Sequence, residues 1–479
     1  MDKMTAWIRA LQLLCAATLG LMGSAQAQGQ VPLPDQDPFY TPPAGYQSLP
    51  NGSVLHDRQI VAEYLLPPLS TSLTSVFGDA AAALLPQLAQ LQNLKIDAYQ
   101  VLYNSTDGKG QPVAEAATVL VPHGSWTGSG TRPLVSYQIA EDSLSTACEP
   151  SYVLRTGVLG GASASGVGTY EVSLSLSALL QGYAIVYADY EGPDSEFIAG
   201  MQSAHGVLDG IRAVLNYAPD GLDPTTKVGL WGYSGGGAAT GWAAEQKELY
   251  APELNVVGAA EGGVPSDLKV MLQHNDGTAT AGLLVIALVG LDRAYPEAGL
   301  YAALNATGRQ MFATADDECT LETAIPYAYT RIENYTTLAD PINSTVADYM
   351  YLKNDLGQAT PAMPVLNYQD QLDEIVPVEA NNQLALKYCK AGAQVLTLRT
   401  LTAPPAVALV HVAGEMAGEP LALGFLTARF NDTAPLLPGM LLPTLNNCQS
   451  NYAALIDSLP WWDPRRAAIA AQPWPWQSY

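Results

Sequence analysis

The sequence predicts an α/β fold in which helices cover both faces of a mostly parallel sheet. Continuous apolar runs of the kind found in buried strands recur along the chain, for example at 183–188 and 363–368. Helical patterns, such as those at 197–217 and 236–249, lie between some of these runs. Repeated alternation of strand and helix requires crossover helices on both faces of the sheet.

The N-terminal 27 residues are typical of a secretion signal. Lys3 and Arg9 form its basic part, residues 10–22 its apolar part, and residues 24–27 a small-residue cleavage site. The apolar run is shorter than the roughly 18 residues that a membrane span needs, which disfavours a stable anchor. We expect a secreted chain that begins near Gln28, periplasmic if the cell is bacterial and exports it no further.

The mature chain is expected to form one catalytic domain, residues 28–479. Residues 28–60 are rich in Pro, Gly and Asp and predict an extended surface arm. Strands are then predicted at 97–103, 115–121, 133–138, 183–188, 226–231, 255–260, 363–368 and 394–400. The pattern predicts no detailed structure for the tail at 436–479.

A helical, partly apolar stretch at 266–350 interrupts the alternation between the sixth and seventh predicted strands. Its run AGLLVIALVGL at 281–291 is too short to cross a bilayer, so it indicates a buried helix or the lining of a pocket. We expect an inserted helical cap, with a plain core helix as the alternative.

The strongly negative net charge limits the classes of substrate and binding partner. The formal net charge is −24, and loss of Asp2, Lys3 and Arg9 with the signal would bring it to −25. Such a surface repels nucleic acid and anionic lipid and disfavours negatively charged substrates. We expect neutral substrates, transient contact with a lipid interface at most, and a monomer. The sequence contains no metal-ligand cluster or phosphate loop, so no cofactor is expected.

The stretch GYSGG at 232–236 follows an apolar run and precedes an Ala-rich helical pattern. A serine between strand and helix in a G-x-S-x-G motif is typical of a nucleophile elbow, whose flanking glycines let the two backbones pass closely. A flexible Gly-rich loop is the alternative. The context favours Ser234 as a nucleophile in a strained conformation.

A serine nucleophile needs a histidine base and a carboxylate that orients it, and in this type of sheet both follow the serine. Among the five histidines only His411 lies far enough beyond Ser234. The acid should follow the strand after the cap, where the candidates are Asp370, Asp373 and Glu374. We choose Asp373 on the loop that leads into IVP, and Asp370 stays the alternative.

The oxyanion hole should combine the backbone N–H of the residue after the nucleophile with one from the loop after the third strand. The first is that of Gly235. The second belongs to the segment that holds Glu141, Asp142 and Ser143. Cys148, Cys319, Cys389 and Cys448 remain once the signal is removed, an even set that suits two disulfides in an oxidising compartment.

Several blocks together resemble the secretory lipases typified by Candida antarctica lipase A. They are DPFYTPP at 37–43, YQIAEDS at 137–143, DYEG at 189–192, FIAGMQSAHGVLDGIRA at 197–213, GYSGG, YAPELNVVGAAEGGVPSDL at 250–268 and LDEIVPVEA at 372–380. The resemblance covers roughly residues 37–430 and implies an α/β-hydrolase that acts on carboxylic esters. It implies Ser234, Asp373 and His411 as the catalytic triad and the N–H groups of Asp142 and Gly235 as the oxyanion hole. It also implies the disulfides Cys148–Cys319 and Cys389–Cys448.

Together these features predict a secreted serine ester hydrolase, with a triacylglycerol lipase as the first choice. An esterase or deacetylase for short or bulky neutral esters or polyesters, on the same fold, is the nearest alternative. A non-catalytic binding module is an alternative of another class, because a fold does not dictate function. A serine peptidase would use the same three residues, and only a test with an amide substrate excludes it.

Overall fold

The structure is a computed structural model that describes residues 31–61, 94–156, 171–172, 174–400 and 410–433. It also describes the backbone of three short strands at 436–437, 440–441 and 449–450. The predicted signal at 1–27, Cys448 and most of the predicted tail lie outside the described residues.

One ten-stranded sheet organises the described part of the chain, in the order β1-β2-β3-β5-β4-β6-β7-β8-β9-β12. The strands from β5 to β12 in that order are parallel, whereas β1, β2 and β3 are antiparallel to their neighbours. All eight predicted strands are confirmed, and so is the α/β class. The strands are β1 Val54–Ile60, β2 Ile96–Thr106, β3 Pro112–Pro122, β4 Leu134–Gln138, β5 Ala184–Ala188, β6 Val228–Tyr233, β7 Val256–Gly262, β8 Val365–Asp370, β9 Val395–Thr400, β10 Leu436–Leu437, β11 Met440–Leu441 and β12 Gln449–Ser450.

The prediction of an extended surface arm at 28–60 is wrong for its last residues, 54–60. Residues 34–48 form three short 3₁₀ turns, but β1 then pairs with β2 at the edge of the sheet. The sequence of β1, VLHDRQI, carries polar and charged residues, and its side chains are only partly buried. Polar, charged residues are typical of an edge strand, which masks the apolar pattern that reveals an inner strand.

Helices cover both faces of the sheet. On one face α3 and α4 pack against side chains such as Val186 and Leu230, and on the other α12 packs against Trp231 and Leu366. Neighbouring strand residues therefore point to opposite cores, as the two-residue period of a strand requires. Outside the insertion described below, the helices whose bounds the structure describes are α1 Pro150–Thr156, α2 Ser177–Leu180, α3 Gly200–Tyr217, α4 Ser234–Tyr250, α11 Val378–Lys390 and α12 Val410–Phe430.

The chain between β7 and β8, residues 263–364, is a helical insertion, which we call the insert. Its buried apolar residues form a third core together with Phe197, Trp242 and Leu384 of the surrounding fold. Its six helices are α5 Leu268–Asn275, α6 Ala281–Ala294, α7 Leu300–Ala303, α8 Ala306–Ala315, α9 Thr320–Ala324 and α10 Thr345–Asn354. Within the described ranges, no helix is both long enough and apolar enough to span a membrane.

Candidate active site

Ser234 lies at a sharp turn between strand and helix. Strand β6 ends at Tyr233, and Ser234 is the first residue of α4. Its φ of 55° is left-handed, a conformation that costs free energy in a residue with a Cβ. Ser234 is only partly buried and borders a cavity. The strained elbow predicted for GYSGG is therefore the observed local structure.

Close backbone contacts explain the glycines around the elbow. A Cβ on Gly232 would lie 2.3 Å from the carbonyl oxygen of Gly236, and a Cβ on Gly236 would lie 2.0 Å from that of Gln138 on β4. The same holds for the third glycine after the serine, since a Cβ on Gly237 would lie 2.3 Å from the carbonyl oxygen of Gly262. These distances are far shorter than van der Waals contact, so no larger residue fits without backbone movement.

His411 and Asp373 are hydrogen-bonded to each other. Nδ1 of His411 lies 2.7 Å from Oδ2 of Asp373, and both side chains are almost completely buried. The other ring nitrogen, Nε2, is buried and has no hydrogen-bond partner among the described residues. The ring packs against that of Tyr233, the residue before Ser234, with the ring centroids 5.0 Å apart. A proton on Nδ1 would leave Nε2 unprotonated and able to act as a base.

The Asp373 carboxylate accepts three further hydrogen bonds. Oδ1 accepts the backbone N–H groups of Ile375 at 3.0 Å and Val376 at 2.9 Å. Oδ2 accepts the side-chain amide of Gln369, the fifth residue of β8, at 3.0 Å. The alternative acid Asp370 has other contacts, because it accepts the N–H of Leu372 at 2.9 Å and the hydroxyl of Thr400 at 3.1 Å.

These contacts move the pKa values of the pair in opposite directions. Burial lowers the pKa of His411, but the carboxylates of Asp373, Glu374 and Glu415 raise it more, to about 9. Burial raises the pKa of Asp373, yet the charge and hydrogen bond of His411, with those from Val376 and Gln369, bring it below the usual value. The arrangement therefore stabilises an imidazolium next to a carboxylate, the charge state that a general base acquires when it takes a proton.

Asp142 lies next to the elbow. Its φ is 42°, and its carboxylate packs against Gly235, where an added Cβ would lie 1.9 Å from Oδ1. Burial raises the pKa of Asp142 to about 7, although the charge of His411 lowers it. Asp142, Ser234 and Gly235 line one cavity. The structure thus brings the two predicted oxyanion donors to the same place as the predicted nucleophile.

The cavity is bordered by Ser234 and lined mainly by residues of the insert. Its wall is almost entirely aliphatic and aromatic. Helix α6 contributes one face of its apolar run, with Leu283, Leu284, Ala287, Leu288 and Leu291. In the part of the chain that the structure describes, no cluster of three or more His, Cys, Asp or Glu is arranged to hold a metal ion.

The cysteines that the structure describes form disulfides, in agreement with the prediction. Cys148, ten residues beyond β4, is disulfide-bonded to Cys319, the residue before α9 of the insert. Cys389 is disulfide-bonded as well. Its predicted partner Cys448 lies outside the described residues. The first bond ties the segment that follows Asp142 to the insert.

Sequence reasoning missed two contributors to the site. It treated Glu374 only as a candidate acid, whereas its carboxylate accepts the backbone N–H of His411 at 3.2 Å. It did not single out Gln369, although a glutamine at the end of an apolar strand is a visible signal. It also gave no helix around His411, which is the second residue of α12.

Comparison with known proteins identifies the family. A model of the secretory lipase family matches residues 161–437. A lipase A of Arthroderma benhamiae is 33% identical over 83% of this chain and 80% of its own length. A secreted triacylglycerol lipase of Malassezia furfur is 31% identical over 83% and 76%. A protein of Mycobacterium tuberculosis that is 35% identical, over 83% of this chain and 82% of its own, is named a probable inactive lipase.

Solved structures agree with this result. Candida antarctica lipase A in its closed state superposes with a TM-score of 0.70 at 27% identity, over 89% of this chain and 94% of its own. A rice cell wall degrading esterase from Xanthomonas oryzae, at 18% identity and a TM-score of 0.60 over 81% and 100%, shares the fold. The chain therefore belongs to the secretory lipase family and is a carboxylic ester hydrolase with an α/β-hydrolase fold.

Proposed function

We propose that the protein is a secreted triacylglycerol lipase that works through an acyl-enzyme on Ser234. His411 accepts the proton of the Ser234 hydroxyl as the oxygen attacks the ester carbonyl, and then gives it to the leaving alcohol. Asp373 keeps the imidazole in the required tautomer and stabilises its charged form. Water then attacks the acyl-enzyme with His411 again as the base, which releases the fatty acid and restores the serine.

The observation that supports this assignment is the hydrogen bond between His411 and Asp373 beside a strained serine that opens into an apolar cavity. In addition, Nε2 of His411 is buried and accepts no hydrogen bond from the part of the chain that the structure describes, as expected of a base that awaits a hydroxyl proton. Free enzymes often hold such contacts open until substrate binds. We assign oxyanion stabilisation to the backbone N–H groups of Gly235 and Asp142, which flank Ser234 on the cavity wall.

The cavity and the charge support a neutral lipid as the substrate. An aliphatic wall favours a long acyl chain through burial of apolar surface, at roughly 25 cal/mol per Å². The net charge of −24 disfavours anionic substrates. We propose that the predicted segment at 266–350 acts as a cap that encloses the acyl chain, and that the segment at 1–27 directs export.

The alternative of a binding module gains weight from the related protein that is named a probable inactive lipase. Ser234, His411 and Asp373 argue against it here, because all three are present and the last two are hydrogen-bonded. The alternative of a short-chain esterase is opposed by the aliphatic wall of the cavity, most of which a small acyl group would leave uncovered.

The test is hydrolysis of p-nitrophenyl esters from acetate to palmitate, and of an emulsified triacylglycerol, by the purified mature protein. Ser234→Ala removes the nucleophile, and the exposed Ser129→Ala serves as the matched control. We expect hydrolysis of long-chain esters and of the emulsion, which Ser234→Ala abolishes and Ser129→Ala leaves intact. Activity confined to acetate and butyrate would support the esterase instead. An inert wild-type protein would support the binding module.

A further inference from the structure

Helix α5 of the insert contacts the loop that carries the proposed catalytic acid, residues 373–376, which we call the acid loop. We propose that Asn275 is a positioning residue for Asp373, through which the insert sets the geometry of proton transfer. The inference rests on the proposed function, because it concerns the same Ser234, His411 and Asp373.

The Asn275 side chain is held in one orientation. Asn275 is the last residue of α5 and is 1% exposed. Its amide nitrogen donates to the carbonyl oxygens of Met271, one turn back in the helix, and Ile375 in the acid loop, both at 3.0 Å. Its amide oxygen accepts a short hydrogen bond from the Thr280 hydroxyl. Both amide protons and the oxygen are therefore in use, which fixes the position of Ile375 relative to the insert.

Ile375 connects Asn275 directly to the Asp373 carboxylate. Its N–H donates to Oδ1 of Asp373 at 3.0 Å, while its carbonyl accepts from Asn275. A second contact from α5 lies beside the first, since Nε2 of His274 is 2.9 Å from the carbonyl oxygen of Glu374. Helix α5 thus holds two consecutive residues of the acid loop.

The sheet holds the acid loop from the other direction. Gln369 donates to the carbonyl oxygen of Val376 at 2.6 Å and to Asp373 at 3.0 Å. The loop is therefore fixed by one buried amide from the sheet and one from the insert. The Asp373 carboxylate keeps its hydrogen bond to His411 only while the sheet and the insert both stay in place.

The same helix also forms part of the cavity wall, to which it contributes Leu268, Met271 and Leu272. A shift of α5 that widens the cavity would pull on the carbonyl of Ile375. Because a misplacement of about 1 Å in a catalytic group can cost ~10²-fold in rate, the position of the insert and the rate of proton transfer are coupled. The coupling acts through direct hydrogen bonds rather than through a distant pathway.

The experiment compares two buried asparagines in the insert. Asn275→Leu keeps the size of the side chain and removes its hydrogen bonds. Asn354→Leu is the matched control, because Asn354 is the last residue of α10, is 2% exposed and donates to Met350 one turn back, at 3.0 Å. The other contacts of Asn354 are with the N–H of Gly200 and the hydroxyl of Tyr295, away from the acid loop. The substrate is p-nitrophenyl acetate, whose small acyl group does not need the cavity.

For Asn275→Leu we expect kcat to fall about 10- to 100-fold with KM close to the wild-type value. We also expect the acid limb of the kcat profile to move to lower pH, because a displaced Asp373 raises the pKa of His411 less. Asn354→Leu should lose thermal stability but keep the wild-type pH profile and most of kcat. Asn275→Ala, which removes the same hydrogen bonds without added bulk, should shift the profile in the same direction as Asn275→Leu.

Two results would overturn the inference. One is an Asn275→Leu protein with wild-type kcat and pH profile, and the other is an equal loss of kcat in both leucine variants without any change in the profile. In either case Asn275 would serve only to stabilise the insert. A wild-type protein that hydrolyses no ester would refute the proposed function and the inference together, so the two failures are distinguishable.

Discussion

The two sides of the active site are held in place by different forces. On the serine side, Ser234 is fixed by backbone packing, where Gly236 leaves no room for a Cβ against β4. On the acid and base side, Asp373 and His411 are fixed by hydrogen bonds and charge, with four hydrogen bonds on one carboxylate. In the proposed mechanism, attack by the serine therefore depends on backbone packing, whereas proton transfer depends on a network of hydrogen bonds and charges.

The largest expected effect comes from removing a reacting group on either side. Because the residues of a catalytic triad act as a unit, we expect Ser234→Ala and His411→Ala each to lower kcat about 10⁶-fold, and the double variant to lose little more. We expect equal losses even though the two residues are held in place by different forces. Initial rates on p-nitrophenyl butyrate measure it, with the half-exposed His123→Ala as the control. Losses that multiply in the double variant would show that the two residues act independently.

A larger side chain alone should disrupt the backbone packing around Ser234. In Gly236→Ala the new methyl would lie 2.0 Å from the Gln138 carbonyl oxygen, so we expect the free energy of unfolding to fall by about 3 kcal/mol or more. Gly241→Ala in the same helix is the matched control, because its methyl meets the movable end of Leu356 at 3.0 Å. Urea unfolding measures both. Equal stability of the two variants would contradict the role given to packing.

Removal of a charge next to His411 and Asp373 should change the pH dependence of activity and leave the fold intact. Glu374→Gln keeps an acceptor for the His411 N–H but removes a charge that raises the pKa of His411. The base works in its neutral form, so activity rises as pH increases through its pKa, and a lower pKa moves that rise to lower pH. We expect a shift of about one pH unit in kcat/KM for p-nitrophenyl acetate, and an unchanged urea midpoint near neutral pH.

The same pKa shift links stability to pH. The pKa of His411 in the folded chain, about 9, exceeds its ordinary value of 6.5, so the bond to Asp373 stabilises the fold fully below that ordinary value. This contribution should be lost as pH rises from 6.5 through 9. In His411→Ala the decline in stability over this range should be smaller than in the wild type, as urea midpoints at several pH values would show. The same decline in both proteins would place its origin in other titratable groups.

The difference between the two sides also explains how far the sequence could predict the site. The elbow follows from local spacing, so GYSGG and its neighbours were enough to predict the turn and two of the close glycine contacts. The acid loop depends on residues distant in sequence, because Asn275 and Gln369 hold it from two elements whose approach no local pattern reveals. Strand β1 escaped prediction because an edge strand of mixed polarity lacks the apolar signal of an inner one.

Covalent labelling of the wild-type protein with an alkyl p-nitrophenyl phosphonate, mapped by peptide mass spectrometry, reports directly on the proposed nucleophile. We expect a single adduct, on Ser234, formed together with one equivalent of p-nitrophenol. We also expect labelling to slow strongly in Asp373→Asn, since the base then loses its orienting carboxylate. An adduct on another residue, or an unlabelled Ser234 in a protein that still hydrolyses esters, would contradict the account.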